Sequence, residues 1–141
     1  MSDTPYKALD ALAKLYIYQS AEMDAGISKE ELKVIVVKMH EWNHEVAPQQ
    51  LSQMVAEANR EMSALKPDDK LERVNASLDL LDGKLNPNNK IALVQDLVNL
   101  AQADDDFDKN EKSFIRNVIE RFQIDYAPWK LADVPKQQLR D

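Results

Sequence analysis

The chain has 141 residues and no cysteine. That excludes disulfide staples, thiolate zinc sites, thiol nucleophiles and redox pairs, and it fits a reducing compartment, so the expected location is the cytoplasm. Only two glycines occur, Gly26 and Gly83. A glycine-rich loop that cradles phosphate is therefore excluded. Long apolar runs are missing too: Val34 to Val37 is the longest notable one, far short of a membrane span. The opening MSDTPYKALDALAKLYIYQ lacks a basic leader followed by a long apolar stretch, so a soluble chain with no secretory signal is expected. Positive charge is in deficit, with 18 Lys and Arg against 25 Asp and Glu, net −7. Such a surface repels phosphate backbones, which argues against nucleic acid and suits cations or a basic protein partner.

What is present is helical period. Hydrophobic residues make up 44% of the chain, enough for one domain with a real core. Leu9, Leu12, Ala13, Tyr16 and Ile17 form one stripe; Leu32, Ile35, Val36 and Met39 a second. A third runs through Leu51, Met54, Val55, Ala58, Met62 and Leu65, and a fourth through Leu71, Val74, Leu78 and Leu81. Phe114, Ile115, Val118, Ile119 and Phe122 form another. Ile91 to Ala101 is apolar on more than one face and is expected at the centre. The breaks fall at Ala25-Gly26, Ala47-Pro48, Lys66-Pro67-Asp68, and Asp82-Gly83 followed by Asn86-Pro87. No segment reads as a strand. The expectation is an all-α, compact bundle of six to seven helices built from two related helix-loop-helix halves, the seventh being short and near Trp129. One domain spans residues 1–141, with a core at about 5–125 and a tail at 126–141 that frays after Val134.

The two halves show as an echo. Met23-Asp-Ala-Gly-Ile-Ser-Lys-Glu-Glu31 aligns with Ala103-Asp-Asp-Asp-Phe-Asp-Lys-Asn-Glu111, and a weaker third copy, Asp82-Gly-Lys-Leu-Asn86, lies between them. Ser28-x-x-Glu31 and Asp108-x-x-Glu111 have the form of capping boxes, with Ile27 and Phe107 placed as hydrophobic staples. Carboxylates there also favour the positive end of a helix. Capping leaves Asp104, Asp105 and Asp106 without a reason. Asp104, Asp106 and Asp108 have the alternation of the first half of a calcium loop, where carboxylates on a curling backbone converge on a hard cation, and Glu111 can add an oxygen. The second half of such a loop is absent, since its glycine and final glutamate positions hold Lys109 and Ile115. A metal site, a cap and a solvated acidic loop all remain open on spacing alone.

His40-Glu-Trp-Asn-His44 matches the zincin pattern, in which two histidines one turn apart ligate zinc and the glutamate activates a water. Glu57 or Glu61 would be the third ligand. Against this stand the lack of a strand to present a substrate and the position of the motif at a helix end, where histidine is favoured anyway. Met23, Met39, Met54 and Met62 read as core filler, and Trp42 as a packing residue at a helix end.

The echoed segments resemble the TerB-like tellurite-resistance family, and the N-terminal domain of DjlA-type membrane co-chaperones is similar. The strongest stretch is LVNLAQADDDFDKNEKSFIRNVIERFQI, residues 97–124; the weaker copy spans Tyr16 to Trp42. With the helices between, the resemblance covers nearly the whole chain. It implies a compact helical fold on two related halves, with acidic residues at both loop-helix junctions that bind divalent metal. Carried onto this chain, those residues are Asp24 and Glu31 in the first copy, and Asp104, Asp108 and Glu111 in the second; Asp106 is added on spacing. The motif glycine is Ala25 in one copy and Asp105 in the other, and Ser28 stands where an aspartate would be. A single site near Asp104 is therefore expected ahead of a symmetric pair.

The function expected from these residues and this resemblance is a non-enzymatic, cytoplasmic, TerB-like interaction module of the stress response. Its cofactor would be calcium, magnesium or manganese ahead of zinc, and its partner a protein. The alternatives are a metal-independent acidic domain that docks a basic protein and, behind it, a zinc hydrolase using His40, Glu41 and His44.

Overall fold

Three of the helices begin at proline, because the first helical position needs no amide donor and proline's fixed φ already suits it. In the computed structural model, Pro48, Pro67 and Pro87 open α3 (Pro48–Ser63), α4 (Pro67–Lys84) and α5 (Pro87–Gln102). They are joined by α1 (Lys7–Ser20), α2 (Lys29–Trp42) and α6 (Lys109–Phe122). The structure describes residues 6–20, 27–102, 109–124 and 136–139, without the side chains of 101–102 and 109–113. Among the described residues every regular element is an α-helix, as the periodicity indicates. The short helix expected near Trp129 lies outside them.

The caps follow the local chemistry. Ser28 Oγ accepts from the Glu31 amide at 3.1 Å, and the Ser28 amide donates to Glu31 Oε1 at 3.2 Å, a complete capping box on α2. Asn86 Oδ1 accepts from the Asn89 amide at 2.9 Å and caps α5. α4 runs through Gly83 to Lys84 and ends at an extended Leu85, one turn position beyond the break read at Asp82-Gly83. α6 ends in a Schellman pattern: the Ile124 amide donates to the Ile119 carbonyl and the Gln123 amide to the Glu120 carbonyl. Gln123 sits at φ 56°, the left-handed region.

α5 is buried continuously from Ile91 to Val98, as expected of a central helix. α1 shares that position. Besides its apolar stripe, it buries Ala8, Ala11, Leu15, Gln19 and Ser20, and it touches α2, α3, α4 and α5. Its small residues Ala8 and Ala11 are buried on faces that the stripe of large residues does not reveal. The stripes of α2, α3 and α6 face the core as read, with Met39 and Met62 inside it and Met54 packed at its margin. Met23 lies outside the described residues. On α4 burial begins at Val74, and Leu71 is exposed. The tail also differs from expectation: residues 136–139 lie against the body of the protein, with Leu139 only 4% exposed.

Candidate functional site

Asp96 stands in the middle of α5 with 4% of its surface exposed. A lone buried carboxylate is costly unless donors replace its water. Its Oδ2 accepts from the Tyr16 hydroxyl at 2.6 Å and from Trp42 Nε1 at 3.2 Å, and lies 2.9 Å from Lys136 Nζ. Lys38 Nζ is 3.6 Å from Oδ1. Trp42 Nε1 also donates to the Tyr16 hydroxyl at 2.8 Å. Lys136 pairs in addition with Glu41 and lies 5.5 Å from the centre of the Trp42 ring, a cation–π contact. Two ammonium groups thus balance two carboxylates. α1, α2, α5 and the segment 136–139 each contribute a member.

The electrostatics fix the protonation of Tyr16. Burial, then the charge of Asp96 and the hydrogen bond to it, hold this phenol well above the ordinary tyrosine range, against a smaller opposing effect of the Trp42 bond. Tyr16 is therefore a neutral donor. The cluster presents no activated nucleophile, since its carboxylate is surrounded by donors and its phenol is held protonated. What it can do is fix α1, α2 and α5 in one arrangement and hold an ammonium group from outside the helical body.

The residues expected to bind metal are placed differently. Asp24, Asp104, Asp106 and Asp108 lie outside the described residues. Glu111 is in the first turn of α6, and its side chain is outside the description. Glu31 is at the third position of α2, where its carboxylate serves the capping box. Among the described residues no group of three or more His, Asp or Glu side chains is placed to hold a metal ion.

HEWNH is a helix exit. α2 stops at Trp42, with Asn43 extended as its C-cap, so His44 leaves the helical register that His40 follows. The two rings are 5.6 Å apart, centre to centre, and tilted by 47°. Glu41 pairs with Lys136, Trp42 is fully buried, and Asn43 Oδ1 accepts from the amides of Glu45 and Val46 at 2.9 and 3.3 Å. Glu61, one of the two third-ligand candidates, holds Lys14 at 3.2 Å and also pairs with Arg73. Burial alone would raise its carboxyl, but Lys14 and Arg73 outweigh that and hold it below the usual range. Reading the sequence missed Asp96, Lys38 and Lys136. The available signal was the one carboxylate in α5, set within the mainly apolar run from Ile91 to Leu100.

The fold and this cluster define an all-helical bundle whose two central helices are joined by a buried hydrogen bond. A family model described as tellurite resistance protein TerB matches residues 10–134. The chain belongs to the TerB family. No curated protein and no solved structure matches it. Among the described residues no helix is long and apolar enough to cross a membrane.

Proposed function

We propose that this TerB-family chain is a non-enzymatic cytoplasmic interaction module of a stress response, and that the segment from Asp104 to Glu111 binds one divalent cation. The observation that carries this reading is the position of that acidic sequence, which follows the buried helix α5 and runs into the first turn of α6. A cation there neutralises carboxylates that otherwise repel one another, and it ties together two helices already anchored in the core. Asp104, Asp108 and Glu111 are the ligands the family resemblance supports, and Asp106 the one that spacing adds. The first copy is the weaker ligand set, because Glu31 serves the cap of α2. Calcium, magnesium or manganese suits such oxygen donors better than zinc. With no cysteine in the chain, direct thiol reduction of tellurite is not part of this reading.

The test is a thermal melt of chelator-stripped protein with each ion in turn. At about one hundred times Kd, a bound ion adds about 2.7 kcal/mol, and Asp104→Asn with Asp108→Asn should remove the gain. An unchanged melt with all three hard cations overturns the proposal.

A second reading rests on α2. Val34 and Val37 are 43% and 60% exposed, and exposed Glu30 shares their helical face, with Glu41, already paired to Lys136, at its far end. That face suits a basic partner with an apolar centre. Such binding would weaken with salt and ignore chelator.

A further inference from the structure

The last described segment, Lys136-Gln-Gln-Leu139, forms no helix or strand, yet the protein's body holds it at each residue. Lys136 enters between Asp96 and Glu41. The Gln137 amide donates to Asn89 Oδ1 at 2.6 Å, and its side chain spans the α4–α5 corner, accepting from the Asn86 amide at 3.2 Å and donating to the Lys84 carbonyl at 3.3 Å. Gln138 accepts from the His44 amide at 2.9 Å and donates to the Glu41 carbonyl at 3.2 Å. Leu139 is clamped on both sides of its backbone: its amide donates to the Trp42 carbonyl at 2.8 Å, and its carbonyl accepts from Asn43 Nδ2 at 2.7 Å. Its side chain is buried in the core.

A segment that only covered helix ends would need backbone contacts alone. Here main-chain groups are read by two asparagine side chains, one ammonium is received by an acidic pocket, and one aliphatic side chain enters the core. That is how an extended peptide is recognised, with main-chain bonds for affinity and pockets for specificity. Every receiving residue lies within the stretch that matches the TerB family, residues 10–134, and the segment received lies beyond it. Removing the segment would leave Asp96 buried without the ammonium it has at 2.9 Å, so an emptied groove favours an occupant with the same chemistry.

We propose that the groove formed by the end of α2, the α4–α5 corner and Asp96 is a docking site for an extended Lys-x-x-Leu segment of a partner protein. Residues 136–139 occupy it in cis. The groove and the acidic segment share no residue, so this inference stands apart from the metal reading.

The test uses a fluorescein-labelled, N-acetylated peptide of residues 134–141, read by anisotropy against the full chain and its Lys136→Ala/Leu139→Ala variant. The variant should bind one peptide per chain. The wild type should bind about tenfold more weakly or less well still, because its own segment competes. A peptide with alanine at both anchor positions should not bind. A cooperatively folded variant that ignores the peptide, or equal binding by variant and wild type, overturns the proposal. Peptide-independent dimers formed by exchange of this segment would also overturn it, in favour of a second copy as occupant. If the variant does not fold, hydrogen exchange of the wild type decides. The Gln137, Leu139 and His44 amides should open at lower free energy than the amides of α1. Exchange of both sets only on global unfolding would show an integral part of the core and overturn the proposal.

Discussion

The Tyr16 hydroxyl donates to Asp96 Oδ2 at 2.6 Å across a separation of 80 residues, the same offset that aligns Asp24 with Asp104 and Glu31 with Glu111. The two partners hold equivalent positions in the two halves, one on α1 and one on α5, so the halves meet at corresponding points. Their chemistry has diverged. One position supplies a donor and the other an acceptor, and the position equivalent to Trp42 holds Phe122, buried but without an N–H. The junction is therefore a directed hydrogen bond joining the halves. Asp96→Ala removes the acceptor and leaves Lys136 and Lys38 beside a buried void, a change expected to cost about 3–5 kcal/mol. Tyr16→Phe, which loses a bond to a charged group, should cost about 1.5–3 kcal/mol. Denaturant unfolding of the two single variants and the double variant should show a coupling of about 0.5–3 kcal/mol. Additive losses would mean that the two residues act separately.

The alkaline limb of stability follows from the same phenol. Tyr16 is held above its unfolded value, which is about 10. Above that pH the unfolded chain releases a proton that the folded chain keeps, so this contribution is complete below pH about 10 and is lost as pH rises toward the folded pKa. The slope due to this one group approaches about 1.4 kcal/mol per pH unit. Tyr16→Phe should be less stable than wild type at neutral pH and should lack this component of the decline. Urea midpoints measured from pH 8 to 11 would show the two curves converging; parallel curves would contradict the assignment.

How far the sequence was legible divides along local and distant chemistry. Pro48, Pro67 and Pro87 mark helix starts through their own geometry, and Ser28 and Glu31 complete a box within four residues, so both were readable. The candidate site was not. Asp96 lies in a helix whose apolar neighbours set its classification, and its partners Tyr16 and Trp42 are 80 and 54 residues away, beyond any local period. The tail misled for a similar reason. Its low apolar content suggested fraying, but Leu139 is held by bonds to Trp42 and Asn43, which composition does not encode.

Within HEWNH, the order of importance should be the reverse of a zinc enzyme's. Asn43 is buried, and its side chain makes three bonds, to the Leu139 carbonyl and the amides of Glu45 and Val46. Asn43→Ala should cost about 2–4 kcal/mol, as several buried partners lose their satisfaction together. His44 is exposed beyond the helix end, and His44→Ala should stay within about 0.5 kcal/mol of wild type. Thermal melts of both variants, with and without zinc, test this directly. A zinc-dependent rise in the wild type that disappears in His44→Ala would restore the metal reading of the motif.

At the end of α6, Gln123 occupies a position that glycine fills at lower cost. Its φ of 56° brings its Cβ close to the following carbonyl, a strain of about 1–2 kcal/mol for a residue with a side chain. Glycine removes the strain but gives the unfolded chain more freedom to lose, so the net gain is smaller. The Schellman bonds from Gln123 and Ile124 are made by the backbone and survive the change. Gln123 is exposed, so little packing is forfeited. Gln123→Gly should stabilise the protein by about 0.5–1 kcal/mol, seen as a higher urea midpoint at unchanged slope. Gln123→Val, β-branched at positive φ, should move the midpoint the other way. If both variants match the wild type, the left-handed cap contributes nothing to the closure of α6.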